Sequence, residues 1–299
     1  MYKSRSNAFP RSIFLGLVIV CLVLPRELTA ARSFGQEAPP QQEARPQTEE
    51  QRQARQALNE GVQNFKNGQY DKAIVAFQRA KLLDPTLMNA RLYLATAYDS
   101  QYIPGAPSEK NQELGRKVVE EFRGALDIDP QNLSAIDGIT SIMFQMAGTP
   151  YDPEKFQESK SYHQKHIALQ PKDPEPYYWV GVIDWTLSFR ANSEVRASYN
   201  QAHLAHQIKD TKPLPTVVRE EYVRKYGSII DEGIESMKHA IELRPDYADA
   251  MAYLNLLYRR KADAVASPSE RDDLLLMADY LVDRVKEIKW KRAEQPRQP

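Results

Sequence analysis

Residues 61–85, GVQNFKNGQYDKAIVAFQRAKLLDP, contain two short amphipathic runs on either side of one turn. Val62 and Phe65 lie three apart before the turn pair Asn67-Gly68. Tyr70, Ala73, Ile74, Phe77 and Ala80 then recur at helical spacing until Asp84-Pro85 stops the run. Ala73 and Ala80 let the paired helices approach closely, while the Tyr70 and Phe77 rings fill the space between them. Two such helices cover each other on one side only. The unit therefore needs neighbours like itself, and a chain built on it stacks rather than closing round a single core.

The neighbours are present. Prolines at positions 85, 130, 171 and 245 each end an apolar-periodic run. Gly61, Gly68, Tyr70, Ala73, Phe77, Ala80 and Pro85 resemble the tetratricopeptide repeat (TPR), whose unit is about 34 residues. The resemblance covers residues 56–291, divided at 56–85, 86–130, 131–171, 172–245 and 246–291. It implies an all-α, right-handed TPR-type helical solenoid that binds other proteins and is not an enzyme.

Successive prolines are farther apart than one unit, so each unit from the second to the fourth carries extra residues. These residues fall between its two helices. In the second, Leu94, Ala95 and Tyr98 form the first stripe, Pro104-Gly105 marks a turn, and Ser108 caps a helix running toward Asp127. In the third, Ile136, Ile139, Thr140 and Met143 precede Gly148-Thr149-Pro150, with Asp152 as cap and Pro153 in the first turn. The fourth has Tyr177, Val180 and Gly181, then an insertion at 186–228 before Gly233, Met237 and Ala240 resume the pattern. That insertion predicts a helix over 193–208, a rigid break at Lys212-Pro213-Leu214-Pro215, and Thr216 capping a helix to Leu243. The fifth opens with Met251, Leu254 and Tyr258 and closes on the capping box Ser267-Pro268-Ser269-Glu270. Its last helix, apolar on one side and charged on the other, suits a terminal cap.

Ahead of the repeats, Lys3, Arg5 and Arg11 precede the apolar run 13–24, and Thr29-Ala30-Ala31 offers small residues for cleavage. This is the layout of a signal peptide over residues 1–30. The run is shorter than the roughly 20 residues that span a bilayer, and an anchor at residues 12–25 is the alternative. Residues 31–55 are rich in Gln, Glu, Pro, Ala and Arg and predict a disordered linker, ordered at most from Thr48 onward; 292–299 predict a disordered tail. The expected location is periplasmic or otherwise exported, with membrane contact only if the N-terminal segment is retained.

The sequence carries little that points to catalysis. It has no phosphate-binding glycine loop, no HExxH, and no Gly-x-Ser-x-Gly elbow, and its one cysteine, Cys21, lies in the leader. A formal net charge of zero gives no case for nucleic acid. The pairs His163/His166 and His203/His206 have a spacing that suits two ligands on one helix face. The first pair sits at packing positions and the second shares a face with Tyr199, so neither a metal nor a cofactor is assigned. What remains is the inner side of the first helices. Residues one step off the packing stripe give the candidate partner-binding set: Thr96, Asp99, Asp137, Ser141, Phe144, Tyr178, Val182, Trp185 and Arg259. Tyr178 and Trp185 are either exposed anchors for a partner or packing under the 186–228 insertion. The expected function is a non-enzymatic protein-protein interaction scaffold in the bacterial envelope, holding a peptide or partner protein in the groove. The alternative is an assembly component acting through its outer surface or by self-association.

Overall fold

The computed structural model describes residues 47–209 and 212–294. The expected leader, the linker up to Pro46 and the end of the expected tail lie outside the described residues. Within them are ten helices in chain order: α1 (Glu49–Lys66), α2 (Tyr70–Leu83), α3 (Met88–Asp99), α4 (Glu109–Leu126), α5 (Leu133–Gly148), α6 (Pro153–Leu169), α7 (Pro174–Ala202), α8 (Thr216–Leu243), α9 (Ala248–Ala264) and α10 (Pro268–Glu294). They form five antiparallel pairs, each stacked on the next through its second helix. The backbones of α1 and α3, α3 and α5, and α7 and α9 also approach directly, so the first helices line the inner side of the curve. The fold is a TPR-type helical solenoid.

The founding unit shows why the spacing works. The Phe77 ring lies 1% exposed against Gly61, where an added Cβ would sit 2.4 Å from the ring. No side chain fits at 61 without displacing that ring. Gly68 turns the chain between the helices at φ 71°, a backbone region that costs an L-residue about 1 kcal/mol. Caps then fix the helix starts. Ser108 Oγ accepts from Asn111 N, Asp152 from Glu154 N and Lys155 N, and Ser267 Oγ from Glu270 N.

Three expectations are corrected. The first is the edge of the linker: α1 begins at Glu49, because Thr48 and Gln51 close a reciprocal capping box and Ala54 and Ala57 are buried beneath it. The second concerns the tail, where α10 continues through residues 292–294 and Arg292 bonds to Asp246 at 2.8 Å. The third is the 186–228 insertion. No proline interrupts the chain between Pro176 and His203, so the expected helix from Ser193 is simply the continuation of α7. Pro215, not Thr216, occupies the cap position of α8, without a side-chain cap.

The extra residues of unit four therefore lengthen two helices already present. Tyr222 and Leu214, each 1% exposed, fill the space between them, and the Tyr222 hydroxyl donates to the Ser188 carbonyl at 2.9 Å. The connecting loop is tied down by Arg196, only 6% exposed. Its guanidinium donates to the carbonyls of Lys209 (3.1 Å) and Lys212 (2.9 Å) and pairs with Asp263 of α9 at 3.1 Å.

The interior is divided. One core runs through units one to three by way of Phe77, Leu94, Val118, Ile139 and Tyr162. Another runs through units four and five by way of Tyr222, Ile234, Met237, Leu254, Leu257 and Leu281. A small cluster of Ala147, Phe156, Ile183 and Leu187 joins them. Beside it Lys160 of α6, 6% exposed, reaches Asp184 of α7 at 2.8 Å and Glu232 of α8 at 2.9 Å. Asp184 is fully buried, and that burial pushes its carboxyl up to about 7 against the pull of Lys160.

Candidate functional site

At the joint between the two cores the inner rail opens. Unlike the other neighbouring first helices, α5 and α7 have no close backbone approach. Aromatic rings fill the gap. Phe144 of α5 meets Phe156 at 5.3 Å and Trp179 at 5.2 Å, both edge to face. From Trp179 the row continues to Tyr178 (5.4 Å), Tyr253 of α9 (5.7 Å), Trp185 (5.3 Å) and Phe189 (5.0 Å). Tyr247 flanks Tyr178 at 5.1 Å. The rings of Phe144, Tyr178, Trp179, Trp185 and Tyr253 are each half-buried, and Phe189 is 43% exposed. Such rings pack on one side and leave apolar surface on the other.

The nine expected site residues divide accordingly. Thr96, Asp99 and Asp137 are exposed and Ser141 is partly so, a polar stretch along α3 and α5. Thr96 spends its hydroxyl on the Leu92 carbonyl at 2.9 Å, and Ser141 accepts from Gln145 at 3.1 Å. Phe144, Tyr178 and Trp185 belong to the aromatic row. Trp185 packs on Phe189 and on Tyr253 of α9, and α7 continues straight on, so the insertion does not fold back as a separate helix over it. Val182 is only 3% exposed and belongs to the second core, where close packing of α7 on its neighbours leaves it no access to the groove. Arg259 is half-buried and committed, its Nε on Asn255 and its Nη2 on Asp279 of α10 at 2.6 Å.

Sequence spacing missed four contributors. Trp179 stands one position beyond the chosen Tyr178, Tyr253 one position before the packing residue Leu254, Phe189 lies one turn past Trp185, and Asp249 is in the first turn of α9. The run Tyr177-Tyr178-Trp179 was the available signal, since three consecutive rings on a helix cannot all be fully buried in one core, and all three are only partly buried against it.

The histidines serve packing and hydrogen bonding. His163 is 7% exposed and stacks on Trp179 with centroids 6.2 Å apart. Burial, and then the neighbouring His166, lowers its pKa to about 3, so the ring stays neutral. His166 Nδ1 lies 2.6 Å from Asp137 Oδ1, and its Nε2 lies 3.3 Å from Asp173. His203 stacks on Tyr199 at 4.0 Å on the surface.

A stacked helical solenoid with a half-buried aromatic row on its inner rail is the class of molecule these features define. No family model matches the chain, and no curated protein matches it. Solved structures do. A MamA protein is similar over 83% of this chain and 97% of its own, at 16% identity and a TM-score of 0.54. MamA from Desulfovibrio magneticus RS-1 is similar over 81% and 97%, at 13% identity and a TM-score of 0.50. YrrB, a TPR protein with an unusual peptide-binding site, aligns over 78% and 90% at 14% identity and a TM-score of 0.47. At these identities the likeness is one of fold.

Proposed function

We propose that this protein is a non-enzymatic interaction scaffold, exported to the bacterial envelope, that holds a peptide or partner protein along its inner face. The observation that carries the reading is the aromatic row from Phe144 to Phe189. Half-buried aromatic side chains held rigidly by their neighbours are the residue type on which interface energy concentrates. Export rests on the basic, apolar and small-residue order of residues 1–30. Among the described residues no helix is long and apolar enough to cross a membrane.

The test is cross-linking and mass spectrometry on envelope extracts with the native protein and a Trp185→Ala, Phe189→Ala variant of native helicity as baits. Loss of the captured partner from the variant supports the inner face. Equal capture by both baits removes it.

A second reading, assembly through the outer surface, is favoured by α10. Leu276, Tyr280 and Trp290 of that terminal helix are 70%, 63% and 64% exposed, although the sequence reading expected a charged outer face. Under that reading Leu276→Ser, Tyr280→Ser would abolish assembly and leave inner-face capture intact.

A further inference from the structure

The inner face is aromatic along units three to five, and its charges are not balanced. Every guanidinium near the row is already engaged. Arg259 is held by Asn255 and Asp279. Arg260 is held by Asn192 and Asp263 and lies over Phe189 at 5.7 Å. Arg244 pairs with Glu175 at 2.7 Å and covers Tyr247 at 4.4 Å. Arg190 lies over Tyr151 at 5.0 Å and is 3.7 Å from Glu194.

The carboxylates differ. Asp99 in unit two and Asp249 in unit five are exposed, and neither has a hydrogen bond or ion pair among the described residues. Asp249 is close enough to the row for its charge to act on both Tyr178 and Tyr253, after burial the next influence on the Tyr253 hydroxyl. In unit three Asp137 meets only the imidazole of His166, with Asp173 on the far side of the same ring. Asp249 therefore sets unmatched negative charge beside open aromatic faces, and among the described residues no guanidinium near the row is free to match an acidic ligand.

We propose that the inner face takes an extended, Lys- or Arg-bearing segment of a partner protein, its cationic side chains lying between the aromatic row and Asp99, Asp137 and Asp249. This inference rests on the inner-face reading above and adds the chemistry of the partner. Two independent features of the face select that chemistry. Carboxylates attract the charge, and indole and phenol faces attract the same ammonium or guanidinium group through their quadrupoles. Neighbouring helices lie about 10 Å apart, and an extended chain rises about 3.3 Å per residue, so each unit spans about three residues of such a segment. About twelve residues cover units two to five.

The experiment uses the full chain and three fluorescent twelve-residue probes in which Ser alternates with Lys, Gln or Glu. Binding is read by anisotropy across a range of salt concentrations. The Lys probe is expected to bind at least about tenfold more tightly than the Gln probe, to weaken with salt, and to exceed the Glu probe by more still. Asp99→Asn, Asp249→Asn removes two charges that make no bond within the fold. It should lower affinity for the Lys probe about tenfold, flatten the salt dependence and leave the helical content unchanged. Trp185→Leu should weaken every probe that uses this face. If the Gln probe binds as well as the Lys probe and Trp185→Leu weakens both, the cationic inference is overturned and the inner-face reading stands. If the Lys probe binds but neither variant weakens it, the binding site is elsewhere and both are overturned. If no probe binds the native chain, the cationic inference is overturned, and the envelope capture experiment alone decides the inner-face reading.

Discussion

Units one to three and units four to five are built on one repeat, with inner faces of opposite character. In the first half small and aromatic side chains interlock, as Phe77 does against Gly61, and the inner face is polar, with Thr96, Asp99 and Ser141. In the second half the helices are longer and the inner face is aromatic. Charge is buried in both halves, and in the first Glu121, 5% exposed, lies between Lys81 and Arg91. Arg196 and Asp263 are 6% and 4% exposed, and Asp184 at the joint is fully buried. Apolar packing holds whatever the pH, because nothing in it titrates. Buried charge ties helices together with direction and register, and it makes stability depend on protonation.

The largest effect should come from the apolar packing of the first unit. Phe77→Ala should cost about 3–5 kcal/mol in urea unfolding, equally at pH 5 and pH 7. Lys160→Met should cost about 3 kcal/mol at pH 7, because it leaves Asp184 buried without its cation beside Glu232. At pH 5 that cost should shrink, since Asp184 then escapes its charge by taking up a proton. In the native chain the folded state raises this carboxyl from about 4 to about 7. Its contribution to stability is therefore complete below about pH 4 and is lost as pH rises to about 7. If Phe77→Ala and Lys160→Met share one pH profile, the contrast between apolar packing and the charged joint fails.

A smaller effect sharpens the comparison within the second half. Arg196→Gln should cost about 1–2 kcal/mol and raise amide exchange across residues 203–209, the carbonyl of Lys209 being one that this guanidinium holds. The smallest returns to the first half, where Gly68→Ala should cost about 1 kcal/mol for its positive φ without altering the pH profile.

The sequence made the repeat legible wherever a residue has one steric role. Gly61 beneath Phe77, Gly68 in its turn, and the caps Ser108, Asp152 and Ser267 all stand as the spacing implies. It was less informative where the outcome depends on what is missing. The unbroken α7 follows from the absence of a proline between Pro176 and His203, whereas the expected separate helix over 193–208 began inside α7 and ran past its end at Ala202. The inner face was legible in part for a related reason. A one-step shift from the packing stripe finds Asp99, Phe144 and Trp185, but it places Val182 in the groove and omits Trp179 and Tyr253. Close approach of α7 and α9 sets Tyr253 against Tyr178 and Trp185, Trp179 turns instead to Phe144 of α5, and no spacing within one helix records the position of its neighbour.

The joint between α6 and α7 gives the molecule a natural place to be cut. Each side of the turn at 170–173 carries a core of its own. A chain severed there and supplied as two polypeptides would present matching halves of one fastener. Phe144 on one piece would seat against Trp179 on the other and Phe156 against Ile183 and Leu187, and Lys160 would enter a socket formed by Asp184 and Glu232. Reassembly of such pieces would be strongest with the socket intact, so the buried ammonium would serve as the key by which each half recognises its own complement.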